Sequence, residues 1–242
     1  MPSNQTIEKA PGRRALVIGA SRGIGLGFVS VLLARGWQVT ATVRDVSCVP
    51  YALSEVGHHY GDRLAIAALD MKLPEQVSAL AALMPDKTLD LLVISAGILG
   101  PDHQRVEQAT DAEITELFDI NAMAPLRLAR ALLPAIKHGG VIGFVSSRMG
   151  SVSLNDGEGL ELYRASKAAL NSLSRGFAVK QALPAGVGVL NLHPGWVQSD
   201  MGGSYAPVTV EQSATGMVAV LEGALGLSEQ RFVDFEGNTL SW

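Results

Sequence analysis

The chain has 242 residues, 48% of them hydrophobic and 17% charged, with a formal net charge of -4. That length can bury a substantial core, and the scattered Lys and Arg residues form no basic stripe, which excludes nucleic-acid binding. One cysteine excludes an internal disulfide, no Cys/His cluster has metal-ligand spacing, and no run approaches the roughly 18 apolar residues of a membrane-spanning helix. The opening "MPSNQTIEKAPGRR" lacks the apolar stretch of a signal peptide, so a cytoplasmic location without membrane partners is expected.

Short β-branched runs alternate with longer helical patterns along the chain. They are "RALVIG" (14–19), "WQVTATV" (37–43), "RLAIAAL" (63–69), "LDLLVISA" (89–96), "GVIGFVSS" (140–147) and "VGVLNLH" (187–193), with a seventh near "RFVDF" (231–235). Strands apolar on both faces, each followed by a helix, predict an α/β fold: a doubly wound parallel sheet of about seven strands in one domain spanning 1–242. Cys48 reads as a small hydrophobe. Thr110 with Glu113, and Thr209 with Gln212, fit capping boxes that open two helices. The Gly/Pro-rich "HPGWVQSDMGGSYAP" (193–207) lies between a strand and a helix, and residues from about 194 to 206 read as a mobile loop.

"ALVIGASRGIGLGF" sets Gly19, Gly23 and Gly25 between the first strand and the first helix. Glycines there permit a tight turn and let the helix N-terminus approach a pyrophosphate. The spacing is Gly-x-x-x-Gly-x-Gly, and the competing reading is a plain strand-helix turn. At the end of the second strand, "TATVRD" has Val43 where an acid would hold a ribose 2′-hydroxyl, followed by Arg44. Arg22 and Arg44 together suit a 2′-phosphate, favouring NADPH (NADP+) over NADH. If the strand runs one or two residues further, Asp45 becomes the ribose-binding acid instead.

"LYRASKAALNSL" (162–173) places Tyr163 and Lys167 four apart on one helix face. A nearby ammonium stabilises a phenolate, which would make the pair a tuned acid/base. The helix follows the fifth strand, whose carboxyl end carries Ser146 and Ser147, and open α/β sheets bind ligands at that end.

On these motifs the chain resembles the short-chain dehydrogenase/reductase family over nearly its whole length. "SSRMGS", "YRASKAALN" and "LHPGWVQSDMGG" are especially similar to the branch containing C-factor and the Sniffer carbonyl reductases. The resemblance implies a single-domain Rossmann fold and a catalytic set of Asn121, Ser147, Tyr163 and Lys167. Tyr163 would be the acid/base, Lys167 would lower its pKa and bond the nicotinamide ribose, Ser147 would orient the substrate oxygen, and Asn121 would hold a relay water. Ser147 is preferred to Ser146 because the family's serine stands three residues before a glycine, here Gly150. The implied cofactor set is Gly19, Ser21, Arg22, Gly23, Ile24, Gly25, Arg44, Asp70, Met71, Ala96, Gly97, Tyr163, Lys167, Pro194, Gly195, Val197 and Ser199.

The implied reaction is reduction of a small-molecule carbonyl (aldehyde, ketone or quinone) by a homodimer or homotetramer paired through the long helices around Asn121 and Tyr163. The alternative is a dinucleotide-binding signalling or regulatory protein with little turnover. Three departures from the family pattern stand out. Ile18 replaces a threonine, Ile94 and Ser95 replace paired asparagines, and the step of sixteen positions from Ser147 to Tyr163 is a longer interval than usual, with "SLNDGEGLE" as the apparent insertion. Met149, Leu154, Trp196, Met201 and Tyr205 are candidates for an apolar substrate pocket.

Overall fold

The computed structural model describes residues 12–157 and 159–242. The leader-free reading of the N-terminus therefore falls, for residues 1–11, outside the described residues, as does Glu158 of the inserted stretch. In chain order the elements are β1 (Arg14–Ile18), α1 (Gly23–Ala34), β2 (Gln38–Val43), α2 (Tyr51–Tyr60), β3 (Leu64–Ala68), α3 (Pro74–Leu83) and β4 (Leu89–Ile94). There follow α4 (Asp111–Phe118), α5 (Ala124–Leu132), β5 (Ile136–Val145), α6 (Glu161–Phe177), β6 (Gly188–His193), α7 (Val210–Gly223) and β7 (Gln230–Asp234). All seven strands pair in parallel in the order β3-β2-β1-β4-β5-β6-β7. The strand order reverses beside β1, which opens a crevice at the carboxyl ends of β1 and β4.

Alternation along the strands builds two cores, because successive side chains point to opposite faces. Leu16, Ile18, Leu92, Ile94, Ile142 and Phe144 pack on one face against Leu128 of α5 and Leu170 and Phe177 of α6. Ala15, Val17, Leu91, Val93, Val141 and Val145 pack on the other against Phe28 and Leu32 of α1 and Met217 and Leu221 of α7. Each fully buried Leu, Val or Phe contributes about 1.5–3 kcal/mol, so the sheet is held from both sides and its carboxyl edge is a rigid platform.

The two capping boxes are present, with Thr110 accepting from the Glu113 amide and Thr209 from the Gln212 amide. β5 starts four residues earlier than the sequence pattern indicates. Ile136 pairs with Leu89, and the register then shifts before Leu91 meets Val141. The polar "KHGG" between them, with Gly139 at φ 81, hides the first rung from a hydrophobicity pattern. Cys48 is exposed in a turn that buries no residue, which corrects its reading as a packed hydrophobe. Among the described residues no helix is long and apolar enough to cross a membrane.

Candidate active site

The turn between β1 and α1 is shaped by glycines that nothing else can replace. A Cβ on Gly25 would lie 2.0 Å from the Gly19 carbonyl oxygen, and one on Gly19, which sits at φ 81, would lie 2.8 Å from the Ala96 Cβ. The Gly-rich turn, with Ser21 and Ile24 half-buried in it, therefore lies directly against the β4 end carrying Ala96 and Gly97. Where the family pattern has a threonine and paired asparagines, the turn is held by other bonds of its own. Gly19 N donates to Thr42 Oγ1 at 3.2 Å, and Ser95 N donates to the Ile18 carbonyl at 3.0 Å. Arg22 precedes α1 without a side-chain cap bond, and the first turn holds no acidic residue, so the positive helix end is directed at the crevice.

β2 ends at Val43, leaving Arg44 exposed just beyond it. Asp45 turns back on its own chain. Its Oδ1 accepts from Ser47 Oγ at 2.7 Å and Ser47 N at 2.8 Å, and these bonds hold the carboxyl below its ordinary pKa. Asp70 likewise accepts from Lys72 N at 3.0 Å, beside the buried Met71. On the opposite wall, Pro194 accepts a 2.7 Å bond from Ser213 Oγ, Gly195 sits at φ 83, and Val197 is buried and bridged to Val208. Ser199 Cβ lies 3.9 Å from the point a Gly23 Cβ would occupy, and Arg22 pairs with Asp200 at 2.7 Å, so the 194–206 loop touches the Gly-rich turn.

The carboxyl end of β5 separates its two serines. Ser146 Oγ donates to Asn171 Oδ1 at 2.7 Å, inside a buried network with Asn191 and Ser174. Ser147 Oγ instead accepts from Met149 N at 3.2 Å and lies close enough to the Tyr163 phenol to favour its ionised form. Lys167, buried one turn further along α6, has its Nζ 5.7 Å from the Tyr163 ring and donates to the Val145 carbonyl at 3.0 Å. Asn121 sits in a π-helical turn (Asp119–Met123) between α4 and α5. Its Oδ1 accepts from Ile98 N at 2.9 Å, and its Nδ2 donates to the Ile98 carbonyl at 2.8 Å and to Ser166 Oγ at 3.0 Å. Gly97 lies between these groups: a Cβ there would be 3.2 Å from Asn121 Oδ1 and 3.4 Å from Lys167 Nζ. All four candidate catalytic residues thus meet beside the glycine turn.

Their titration differs from the sequence expectation. Burial pushes the Tyr163 phenol up to about 12, opposed by the neighbouring Ser147 hydroxyl, and burial pulls the Lys167 ammonium down to about 8. Desolvation is the largest influence on both groups, and the Lys167 ammonium itself donates to the Val145 carbonyl. His193, at the end of β6, escaped the sequence reading. Its Nδ1 is buried with no hydrogen-bond partner among the described residues, and burial, then the Arg148 charge, lower its pKa to about 4 against the pull of Asp234.

The inserted stretch is tied down beside this cluster. Arg164 Nη2 pairs with Asp156 at 2.6 Å, Arg164 Nε donates to the Gly159 carbonyl at 3.0 Å, and Ser153 Oγ donates to the Trp242 carbonyl at 2.8 Å. Of the pocket candidates, Met149 and Leu154 are half-buried, whereas Trp196, Met201 and Tyr205 are exposed, Tyr205 by 93%. Tyr205 does not line a cavity.

The family model for short chain dehydrogenases matches residues 13–208. The chain belongs to the short-chain dehydrogenase family. Within that family it is 41% identical to a carbonyl reductase of Pseudomonas aeruginosa PAO1 solved in complex with NADP, with a TM-score of 0.88 over 96% of this chain and all of that one. It is 37% identical to the C-signal protein of Myxococcus xanthus over 64% of this chain and 93% of that protein. The carbonyl reductase Sniffer of D. melanogaster superposes with a TM-score of 0.84 at 29% identity, covering 96% of this chain and all of that one. A short-chain dehydrogenase is an oxidoreductase that uses a nicotinamide dinucleotide, and the tight turn fits that group: a side chain at Gly19 would strike Ala96 and one at Gly25 the Gly19 carbonyl, so neither turn nor helix end could keep its close approach.

Proposed function

We propose that this short-chain dehydrogenase is an NADPH-dependent carbonyl reductase acting on aldehydes, ketones or quinones. The observation that carries the reading is the burial of Tyr163 and Lys167 on one face of α6, with Lys167 Nζ 5.7 Å from the Tyr163 ring and Ser147 close enough to act on the phenol. The cofactor would be held by Gly19, Ser21, Gly23, Ile24 and Gly25 at its phosphates, by Asp70, Met71, Ala96 and Gly97 on the adenosine side, and by Pro194, Gly195, Val197 and Ser199 near the nicotinamide. Bound NADPH would supply a hydride to the carbonyl carbon. Arg22 and Arg44 favour a 2′-phosphate, and β2 ends at Val43, short of Asp45, whose Oδ1 is engaged by Ser47.

In this mechanism Ser147 donates a hydrogen bond to the substrate oxygen as negative charge develops there. Tyr163 delivers the proton, a role suited by a phenol that burial keeps protonated at neutral pH. Lys167, protonated below about 8, offsets the phenolate left behind. Asn121 anchors the β4 loop through Ile98 and serves the relay that reprotonates Tyr163. The 194–206 loop closes over substrate as a lid, and the protein works in the cytoplasm as a dimer or tetramer within a one-domain subunit.

An assay of NADPH oxidation against a panel of aldehydes, ketones and quinones, run beside NADH, tests the proposal. Turnover with NADPH favoured is the expected result. Tight NADPH binding without turnover of any carbonyl would instead favour the regulatory reading that the likeness to C-signal suggests.

A further inference from the structure

Helix α6, which carries Tyr163 and Lys167, opens without a cap of its own. The residue before it, Leu160, sits at φ 52 and makes no side-chain cap bond. The amides of a first helical turn need acceptors from elsewhere. One of those amides belongs to Tyr163 itself, and its partner comes from the loop after β4: Tyr163 N donates to Gln104 Oε1 at 3.0 Å. The same side chain's Nε2 donates to the Leu99 carbonyl at 2.9 Å and the Pro101 carbonyl at 2.8 Å. One N–H and two carbonyls face this amide, so its orientation is determined by its partners.

Gln104 is 6% exposed and adopts φ 53, a left-handed conformation that persists in a residue with a side chain only where its surroundings over-determine it. A second tie runs alongside, from Val106 N to Glu161 Oε2 at 3.2 Å. At its other end the loop is gripped at Ile98 by Asn121. Residues 98–106 are thus clamped between the π-helical turn and the first turn of α6.

We infer that Gln104 is a positioning residue for the reaction, setting the height and direction of the Tyr163 phenol relative to Ser147 through the Tyr163 backbone amide. The inference rests on Tyr163 being the proton donor. A displacement of the β4 loop is then transmitted to the phenol without disturbing the Gly-rich turn.

Two variants test this. Gln104→Met removes both hydrogen-bonding functions in a similar volume. Gln104→Glu keeps the acceptor for Tyr163 but turns a second oxygen toward two carbonyls, a repulsion relieved when the carboxyl is protonated. In Gln104→Met, kcat should fall on the order of 10²-fold, as a misplaced reacting group does, with NADPH affinity by fluorescence titration unchanged. Gln104→Glu should be impaired at neutral pH and regain kcat as pH falls, a profile the wild type lacks. Wild-type kcat and pH profile in Gln104→Glu overturn the inference whether or not Gln104→Met folds. Joint loss of NADPH binding and turnover in Gln104→Glu, the mark of general unfolding, also counts against it. Tyr163→Phe separates the levels: if it is inactive while the Gln104 variants behave as wild type, this inference alone fails, and if it is active, the reading of Tyr163 fails first.

Discussion

The β1–α1 turn and the β5–α6 connection lie side by side at the carboxyl edge of the sheet, yet they are specified in opposite ways. The first is a contiguous stretch whose form is dictated by missing side chains: Gly19 and Gly25 permit backbone approaches that any Cβ would block. The second is assembled from distant pieces, with Ser147, Tyr163 and Lys167 placed by bonds to Val145 and Gln104 and an insertion pinned by Arg164 and Trp242. Sterics make the first turn rigid and local. Buried polar bonds make the second precise in its geometry but dependent on elements far along the chain.

Substitutions should separate the two regions. Tyr163→Phe leaves the glycine turn untouched, so it should cost turnover about 10²–10⁴-fold, the usual worth of a general acid, while NADPH titrates as in the wild type. Loss of NADPH binding in that variant would show the regions to be one unit. Gly25→Ala acts from the other side. Driving a methyl toward the Gly19 carbonyl should destabilise the fold by about 1–3 kcal/mol and abolish cofactor binding, read by urea denaturation and by titration with NADPH.

A pH measurement probes the polar region's burial. The folded pKa of His193 lies below its ordinary value, so its stabilising contribution is complete above about 6.5 and is lost as pH falls through about 4. Stability measured by urea at pH 7 and at pH 4 should therefore differ by roughly 3 kcal/mol less in His193→Gln than in the wild type. Equal pH dependence would place the acid sensitivity elsewhere. Arg22→Ala and Arg44→Ala should each weaken NADPH by about 1.5–3 kcal/mol, the worth of a charged hydrogen bond, and leave NADH unaffected; parallel losses for both cofactors would remove the arginines from the 2′-phosphate. The smallest effect belongs to the start of α4, where Thr110→Ala should cost about 1 kcal/mol of stability.

Much of this was legible in the chain itself. Two-sided apolar runs announced the parallel sheet because a strand covered by helices on both faces has no polar face to show. The spacing of Tyr163 and Lys167 announced a shared helix face, whereas Ser147 is preferred to Ser146 only through the family resemblance, and Ser146 turns into the Asn171 network. The polar start of β5 was illegible because its first rung is isolated by a register shift. So were the exposure of Cys48 and Tyr205, since neither residue type reveals whether a neighbour covers it.

Local covalent geometry and periodicity are properties of consecutive residues, and from them the order of strands and helices, the glycine turn, both capping boxes and the tyrosine–lysine pair follow from sequence alone. Burial and long-range hydrogen bonding are not. The upward shift of the Tyr163 phenol, the downward shifts of Lys167 and His193, and the capping of α6 by Gln104 arise only when segments tens of residues apart close together, because desolvation and partner choice depend on everything that surrounds a group in space.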